Sequence, residues 1–136
     1  MTNNLPQQQA TSLEQKRAAY AWDCVKDRGV CTPDYVNLAK SAPALVIGNG
    51  LMQTLAFYES KGGSRSNPKK PHYHHLNDHI FHWVSERLTC GKEFDQVMSF
   101  LHKAGSTTYR QATEETMELL RWLRQFAAAV GSGKDE

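Results

Sequence analysis

Hydrophobic residues recur at intervals of three and four along most of the chain, and the strict apolar–polar alternation typical of a strand is missing. The pattern is clearest between residues 108 and 130. One side of that segment carries Tyr109, Ala112, Thr116, Leu119, Leu120, Leu123, Ala127 and Val130. We therefore predict an all-α fold, a compact bundle of about six helices joined by short connections.

Local signals place several helix ends. Ser12 followed three residues later by Gln15 predicts a capping box, and Thr32-Pro33 predicts a second helix start. We expect Pro43 to kink or interrupt the second helix, because a proline lacks the backbone N–H that an interior turn uses. The predicted helices cover roughly residues 13–28, 33–42, 44–61, 75–90, 92–103 and 108–130.

The domain organisation is simple. Residues 1–11 are rich in Gln, Asn and Thr and contain Pro6, and residues 131–136 are polar with two glycines, so both ends are predicted to be disordered. The segment 12–130 is predicted to form a single helical-bundle domain, since 136 residues suffice for one core.

Composition narrows the class of protein. The formal net charge of +2 is too small to indicate nucleic-acid binding by itself, so the placement of cations must decide that question. Three cysteines, an odd number at wide spacing, argue against a disulfide framework and favour a reducing compartment, which indicates a cytoplasmic protein. No apolar run is long enough for a transmembrane helix, and the polar N-terminus does not resemble a signal peptide.

A group of histidines is the most site-like feature of the sequence. On a helix, residues 75, 79 and 82 would lie side by side. A metal-dependent hydrolase is therefore one alternative. Its candidate ligands are His75, Asp78, His79 and His82. The H-E-x-x-H pattern is missing and no cysteine lies nearby, so we favour surface or partner-facing histidines and expect no bound metal.

Arg65 and His72 have the spacing of a catalytic pair found in some helical ribonucleases. In those enzymes both residues project from one helix into a cleft, whereas here Pro68 and Pro71 interrupt such a helix. No nucleophile elbow, phosphate-binding glycine loop or pair of catalytic carboxylates is present. We predict that the protein is not an enzyme and needs no cofactor.

A flexible basic segment lies between Glu59 and Asp78 and contains no acidic residue. Its cations are Lys61, Arg65, Lys69 and Lys70. Such a loop can follow a phosphate backbone, because cations release counterions when they bind nucleic acid. A solvated loop without a partner is the alternative.

Two residues of the first helix are unusual for their positions. Arg17 falls on the apolar side, so it forms either a structural ion pair or a phosphate contact from a groove. Trp22 falls on the opposite side, where an exposed tryptophan predicts a partner interface.

Three segments in order resemble a known family. They are residues 17–22 (RAAYAW) with Val25, residues 35–61 with the stretch APALVIGNGL, and residues 109–126 with YR, TEE and LRWLRQF. Together they resemble the small subunit of the type III-B CRISPR effector, the Cmr complex, and they span most of the predicted domain.

The resemblance implies an all-α, non-catalytic subunit of a ribonucleoprotein in antiviral defence. Copies of such a subunit stack in a short filament beside the backbone subunits that hold the guide RNA, and they line the channel for guide and target RNA. Cleavage of target RNA belongs to the backbone subunits, and nucleotide cyclisation to the large cyclase/polymerase-like subunit.

The resemblance also suggests which cations contact RNA. The basic positions of the matching segments are Arg17, Lys40, Lys61, Arg110, Arg121 and Arg124. The loop adds Arg65, Lys69 and Lys70. Residues 65–75 match nothing in the family pattern, so their role stays open. Beside the Cmr small subunit and the metal-dependent hydrolase, a third hypothesis is a free-standing helical interaction protein that binds no nucleic acid.

Overall fold

The computed structural model describes residues 10–131, which contain six α-helices and the loops between them. They are α1 (Leu13–Val25), α2 (Pro33–Asn49), α3 (Leu51–Gly62), α4 (Pro71–Leu88), α5 (Phe94–Lys103) and α6 (Ser106–Gly131). No strand occurs between residues 10 and 131, which confirms the all-α prediction. The predicted disorder of residues 1–9 and 132–136 lies outside the described residues, whereas Gly131 ends α6 rather than starting a tail.

The predicted helix starts of α1 and α2 are confirmed in atomic detail. The Gln15 amide donates to Ser12 Oγ at 3.0 Å, and the Ser12 amide donates to Gln15 Oε1 at 2.8 Å, which completes the capping box. The Tyr35 amide donates to Thr32 Oγ1 at 3.2 Å. These bonds satisfy N–H groups that a helix start leaves without partners.

The expected interruption at Pro43 is wrong. Helix α2 continues through Pro43 as far as Asn49, and the break falls at Gly50, whose φ of +89° suits a glycine. A proline removes a single backbone hydrogen bond, and the fully buried Ala39 and Ala42 hold this part of α2 in the core. The predicted third helix therefore combined the end of α2 with α3.

Helix α4 begins four residues earlier than predicted, at Pro71 in the first helical position. The loop before it is held by His74, whose Nε2 donates to the Gly63 carbonyl oxygen at 2.8 Å. A Cβ atom on Gly62 would lie 2.5 Å from that same nitrogen, so only a glycine permits this close approach. Tight packing between the end of α3 and α4 thus fixes where the loop begins.

Helix α6 runs through the centre of the bundle and packs against α1, α2 and α4. Its predicted apolar side is confirmed as core, with Tyr109 and Val130 half-buried at its two ends. The largest side chains that are fully buried include Tyr35, Tyr58, Phe81, Leu51, Leu55, Leu76, Ile80, Leu101, Leu119, Leu120 and Leu123. Every helix contributes to this set, since Val25 of α1 also belongs to it, and α1 adds the buried Ala21.

Glu115 is a charged residue inside this core and is 7% exposed. Its carboxylate accepts hydrogen bonds from Arg17 Nη2 at 3.0 Å and from Trp83 Nε1 at 2.9 Å, and Arg87 Nε lies 3.4 Å away. Burial alone would raise the pKa of Glu115, but the hydrogen bonds from Arg17 and Trp83 and the nearby guanidinium charges lower it. One carboxylate therefore joins α1, α4 and α6.

We predict that Glu115→Gln lowers the free energy of unfolding by about 2 kcal/mol, because it leaves a partly buried arginine without its counter-charge. The pKa of Glu115 is lower in the folded chain than its ordinary value. Its contribution is therefore fully present above about pH 5 and is lost as the pH falls through the folded pKa. Urea unfolding at several pH values measures both effects.

The matched control is Glu118→Gln on the same helix, where the carboxylate pairs with an exposed Arg121 at 3.1 Å. That change should cost less than about 0.5 kcal/mol. Equal losses in the two variants would contradict the structural role assigned to Glu115.

Candidate nucleic-acid interface

The nine cations predicted to contact RNA fall into three groups in the structure. Arg17 and Arg65 are held by carboxylates. The exposed lysines are Lys40, Lys61, Lys69 and Lys70. The exposed arginines of α6 are Arg110, Arg121 and Arg124. The nine residues therefore differ in how free they are to meet a phosphate.

Arg17 forms the structural ion pair that was the alternative to a phosphate contact. Its side chain is 14% exposed, it donates to both Glu115 oxygens, and its Nη1 donates to Glu14 Oε1 at 3.3 Å. Burial alone would lower the pKa of Arg17, but the hydrogen bonds to these two carboxylates and their charge raise it. With its donors committed inside the bundle, Arg17 is left out of the candidate interface.

Arg65 is also committed to carboxylates. Its Nε and Nη2 donate to the two oxygens of Glu59, each at 2.8 Å, and its Nη1 donates to Asp78 Oδ1 at 2.8 Å. The hydrogen bonds to Glu59 raise the pKa of Arg65, and burial opposes them only in part. The planar guanidinium thus joins the end of α3 to α4 across the loop. Its position favours bracing the loop over contacting RNA.

This brace holds the basic loop in a defined shape. The Lys69 amide donates to the Gly62 carbonyl oxygen at 3.0 Å, and the Lys70 amide donates to the same oxygen at 3.4 Å. The loop therefore folds back onto the end of α3, where Lys61 lies. We call Lys61, Lys69 and Lys70 the lysine face. No salt bridge within residues 10–131 uses any of these three side chains.

The three α6 arginines differ in their surroundings. Arg110 borders a shallow, largely apolar cleft of about 630 Å³ whose other walls include Met52, Leu101 and Tyr109. Arg121 pairs with Glu118 at 3.1 Å on the solvent side of the helix. Arg110 and Arg124 make no ion pair within the described part of the chain, so they stay available for an anionic partner.

The clustered histidines do not converge on a common point. His79 is largely buried, its Nδ1 lies 2.7 Å from the Tyr35 hydroxyl, and the Tyr20 hydroxyl donates to its carbonyl oxygen at 2.6 Å. Burial, with a smaller effect of the neighbouring His75 and His82, lowers the pKa of His79 to about 4. His79 is therefore a neutral residue near pH 7, partly buried at the edge of the core.

The described residues do not support the two catalytic alternatives. Within residues 10–131, no group of three or more His, Cys, Asp or Glu side chains is arranged to hold a metal ion. Asp78, one of the candidate ligands, is occupied by Arg65. His72 lies on α4 and packs against the ring of Tyr73, whereas its supposed partner Arg65 lies in the loop.

Trp22 is exposed, as predicted, with 44% of its surface accessible. It does not stand alone, because its ring packs edge-on against Phe126 with centroids 5.6 Å apart. Phe126 in turn packs against Trp122, whose indole Nε1 donates to Glu14 Oε2 at 3.0 Å. The three rings form an aromatic patch across α1 and α6.

The sequence analysis missed Phe57 as a surface residue. The ring is 49% exposed, and Lys61 Nζ lies 5.9 Å from its centroid. The signal was available, because the buried residues of α3 include Leu51, Leu55 and Tyr58 at helical spacing. Phe57 lies two positions after Leu55, which places it on another side of the helix.

The fold and the site define a small helical bundle with exposed cations and exposed aromatic rings. No helix within residues 10–131 is long and apolar enough to cross a membrane. The sequence model of the family described as "CRISPR-associated protein (Cas_Cmr5)" matches residues 13–130. The chain belongs to this family, which confirms the resemblance found in the sequence.

A solved structure supports the same fold. The chain is similar to the crystal structure of a CRISPR-associated Cmr5 family protein from Thermus thermophilus, with a TM-score of 0.66 and 22% sequence identity. The match covers 89% of this chain and 99% of the other. At that identity the likeness concerns the arrangement of the helices.

We predict that Arg65→Ala loosens the basic loop without unfolding the bundle. The amide protons of Lys69 and Lys70 should exchange faster by hydrogen–deuterium exchange, and the free energy of unfolding should fall by about 1 kcal/mol, since the ion pairs are partly exposed. Arg65→Lys should give an intermediate result, because an ammonium cannot donate in the planar fork that Arg65 uses.

The control is Arg124→Ala, an exposed arginine on α6. It should leave the exchange of the loop amides unchanged. Exchange at residues 69 and 70 that is the same in Arg65→Ala and the unmodified chain would contradict the bracing role.

Proposed function

We propose that this chain is a non-catalytic small subunit of a type III-B CRISPR RNA-targeting effector complex, the Cmr complex, acting in antiviral defence in the cytoplasm. Copies of it stack in a filament beside the backbone subunits and contact the guide and target RNA. Membership of the Cas_Cmr5 family over residues 13–130 supports the place in the complex. The chemistry of the surface supports the contact with RNA.

The lysine face is the observation on which the RNA contact rests. Backbone hydrogen bonds bring Lys69 and Lys70 against the end of α3, next to Lys61, and the three side chains are exposed. No salt bridge within residues 10–131 neutralises them. Fixed, unpaired cations attract phosphates and release condensed counterions, whereas paired cations such as Arg65 have little charge left to offer. Lys40 on the exposed side of α2 and the unpaired α6 arginines, Arg110 and Arg124, extend the proposed contacts.

The aromatic patch of Trp22, Trp122 and Phe126 is proposed as a contact with another protein subunit. It lies on α1 and α6. Asp23, next to Trp22 in sequence, pairs with Lys26 at 3.0 Å, and Glu14, which accepts from Trp122, pairs with Arg17. An apolar surface with balanced charge suits a protein partner better than a polyanion.

We predict that the tagged chain, expressed in its native host, recovers the other Cmr subunits together with guide RNA. The purified chain alone should not cleave single-stranded RNA with or without added Mg²⁺ or Mn²⁺. Recovery of neither RNA nor Cmr subunits would favour a free-standing interaction protein. RNA cleavage that is lost in His79→Ala but kept in His102→Ala, the control outside the histidine cluster, would favour the hydrolase.

We predict that the combined change Lys61→Ala, Lys69→Ala and Lys70→Ala weakens binding to single-stranded RNA. The slope of log affinity against log salt should become shallower by about 0.7 for each phosphate that the variant no longer neutralises, or about 2 in total. Fluorescence anisotropy with a labelled oligonucleotide at several salt concentrations measures both quantities. These side chains are exposed, so the free energy of unfolding should change little.

The matched control replaces Lys16, Lys92 and Lys103 with alanine, which removes the same charge from other exposed positions that form no salt bridge within residues 10–131. That variant should keep most of its affinity for RNA. If both triple variants lose affinity equally, the net charge of the chain and not the lysine face governs binding, and the proposed surface is wrong.

A further inference from the structure

A small pocket lies between the end of α2 and the exposed side of α3, next to the lysine face. Its volume is about 270 Å³, and its walls are formed by Leu45, Asn49, Gln53, Thr54 and Phe57. The half-exposed ring of Phe57 forms one side, and Lys61 lies near that ring. The pocket thus combines a flat aromatic surface, side-chain amides and a nearby cation.

The polar groups of the pocket differ in their availability. Thr54 Oγ1 is already committed, since it donates to the Gly50 carbonyl oxygen at 2.9 Å. The side-chain amides of Asn49 and Gln53 are exposed and make no hydrogen bond to residues 10–131. Each amide can donate through its NH₂ group and accept through its oxygen.

We propose that this pocket binds one unpaired nucleobase of the RNA. The base stacks on Phe57, its edge faces the amides of Asn49 and Gln53, and the adjoining phosphate lies against Lys61. This inference rests on the proposed function, because it assumes that RNA follows the lysine face. It adds a contact with a base to a surface otherwise built from contacts with phosphates.

The chemistry of the walls favours a base over an apolar protein side chain. A hydrophobic side chain would cover the Phe57 ring but would leave the two amides without partners, whereas a nucleobase offers a flat face and a hydrogen-bonding edge together. A bound phosphate also complements Lys61, which has no acidic partner within the described residues. Because an amide both donates and accepts, the pocket should tolerate more than one base.

The test compares two fluorescent 12-nucleotide probes, an oligouridine RNA and an abasic ribose-phosphate strand with the same number of phosphates. Binding of the full chain is measured by anisotropy in about 50 mM salt. Phe57→Leu should weaken oligouridine binding about five- to tenfold. Phe57→Trp should keep the affinity of the unmodified chain, because an indole ring also stacks on a base. On the abasic strand, Phe57→Leu and the unmodified chain should bind equally, because no base is present to stack.

Ile47→Ala is the matched control, since Ile47 is an apolar α2 side chain that is 75% exposed and lies outside the pocket. It should leave the binding of both probes unchanged. The double variant Asn49→Ala, Gln53→Ala keeps the ring and should reduce affinity for oligouridine only. Thermal unfolding should be the same for all these surface variants.

The outcomes separate this inference from the proposed function. Unchanged oligouridine binding by Phe57→Leu, while the lysine triple variant loses affinity, would overturn the base pocket alone. Reduced recovery of Cmr subunits by Phe57→Leu with unchanged affinity for RNA would assign the pocket to a protein contact. An unmodified chain that binds neither probe would reject both the pocket and the RNA contact.

Discussion

The carboxylate of Glu115 determines how three helices meet in this bundle. It lies on the central helix α6 and is reached by Arg17 from α1 and by Trp83 and Arg87 from α4. A buried ion pair gives less net stability than well-packed apolar groups, but removing one partner is costly. The network therefore fixes how α1 and α4 are oriented against α6. It also removes Arg17 from the outer surface, so the cations that can meet a phosphate lie elsewhere.

A second arginine, Arg65, also forms salt bridges with two carboxylates, but it does so at the edge of the bundle and orders a surface loop. Arg65 bridges Glu59 and Asp78 and so holds the loop against α3 and α4. The chain uses the planar, five-donor arginine side chain for both structural bridges, while lysines form the unpaired charges beside the loop. Order in the loop matters for binding, because a loop whose backbone is already held in place loses less conformational entropy when its lysines meet a polyanion.

Local signals allowed much of the fold to be predicted from the sequence. The capping box at Ser12 and the apolar stripe of α6 depend on residues three or four apart, so the sequence displays them directly. The break at Gly50 was missed because its cause is tertiary, as the core keeps α2 continuous through Pro43. Arg17 stayed ambiguous for a similar reason, since its partner Glu115 lies 98 positions away along the chain.

The histidines show why proximity in sequence did not produce a site. On one helix, side chains at positions 75, 79 and 82 point in neighbouring but different directions, and the middle one packs against α1 and α2. There the hydroxyls of Tyr20 and Tyr35 hold His79, and burial keeps its pKa near 4. His79 is therefore neutral in the folded chain, and largely neutral in the unfolded chain, above about pH 7.5. Because its charge does not change there, the contacts that His79 makes with Tyr20 of α1 and Tyr35 of α2 are retained across that pH range.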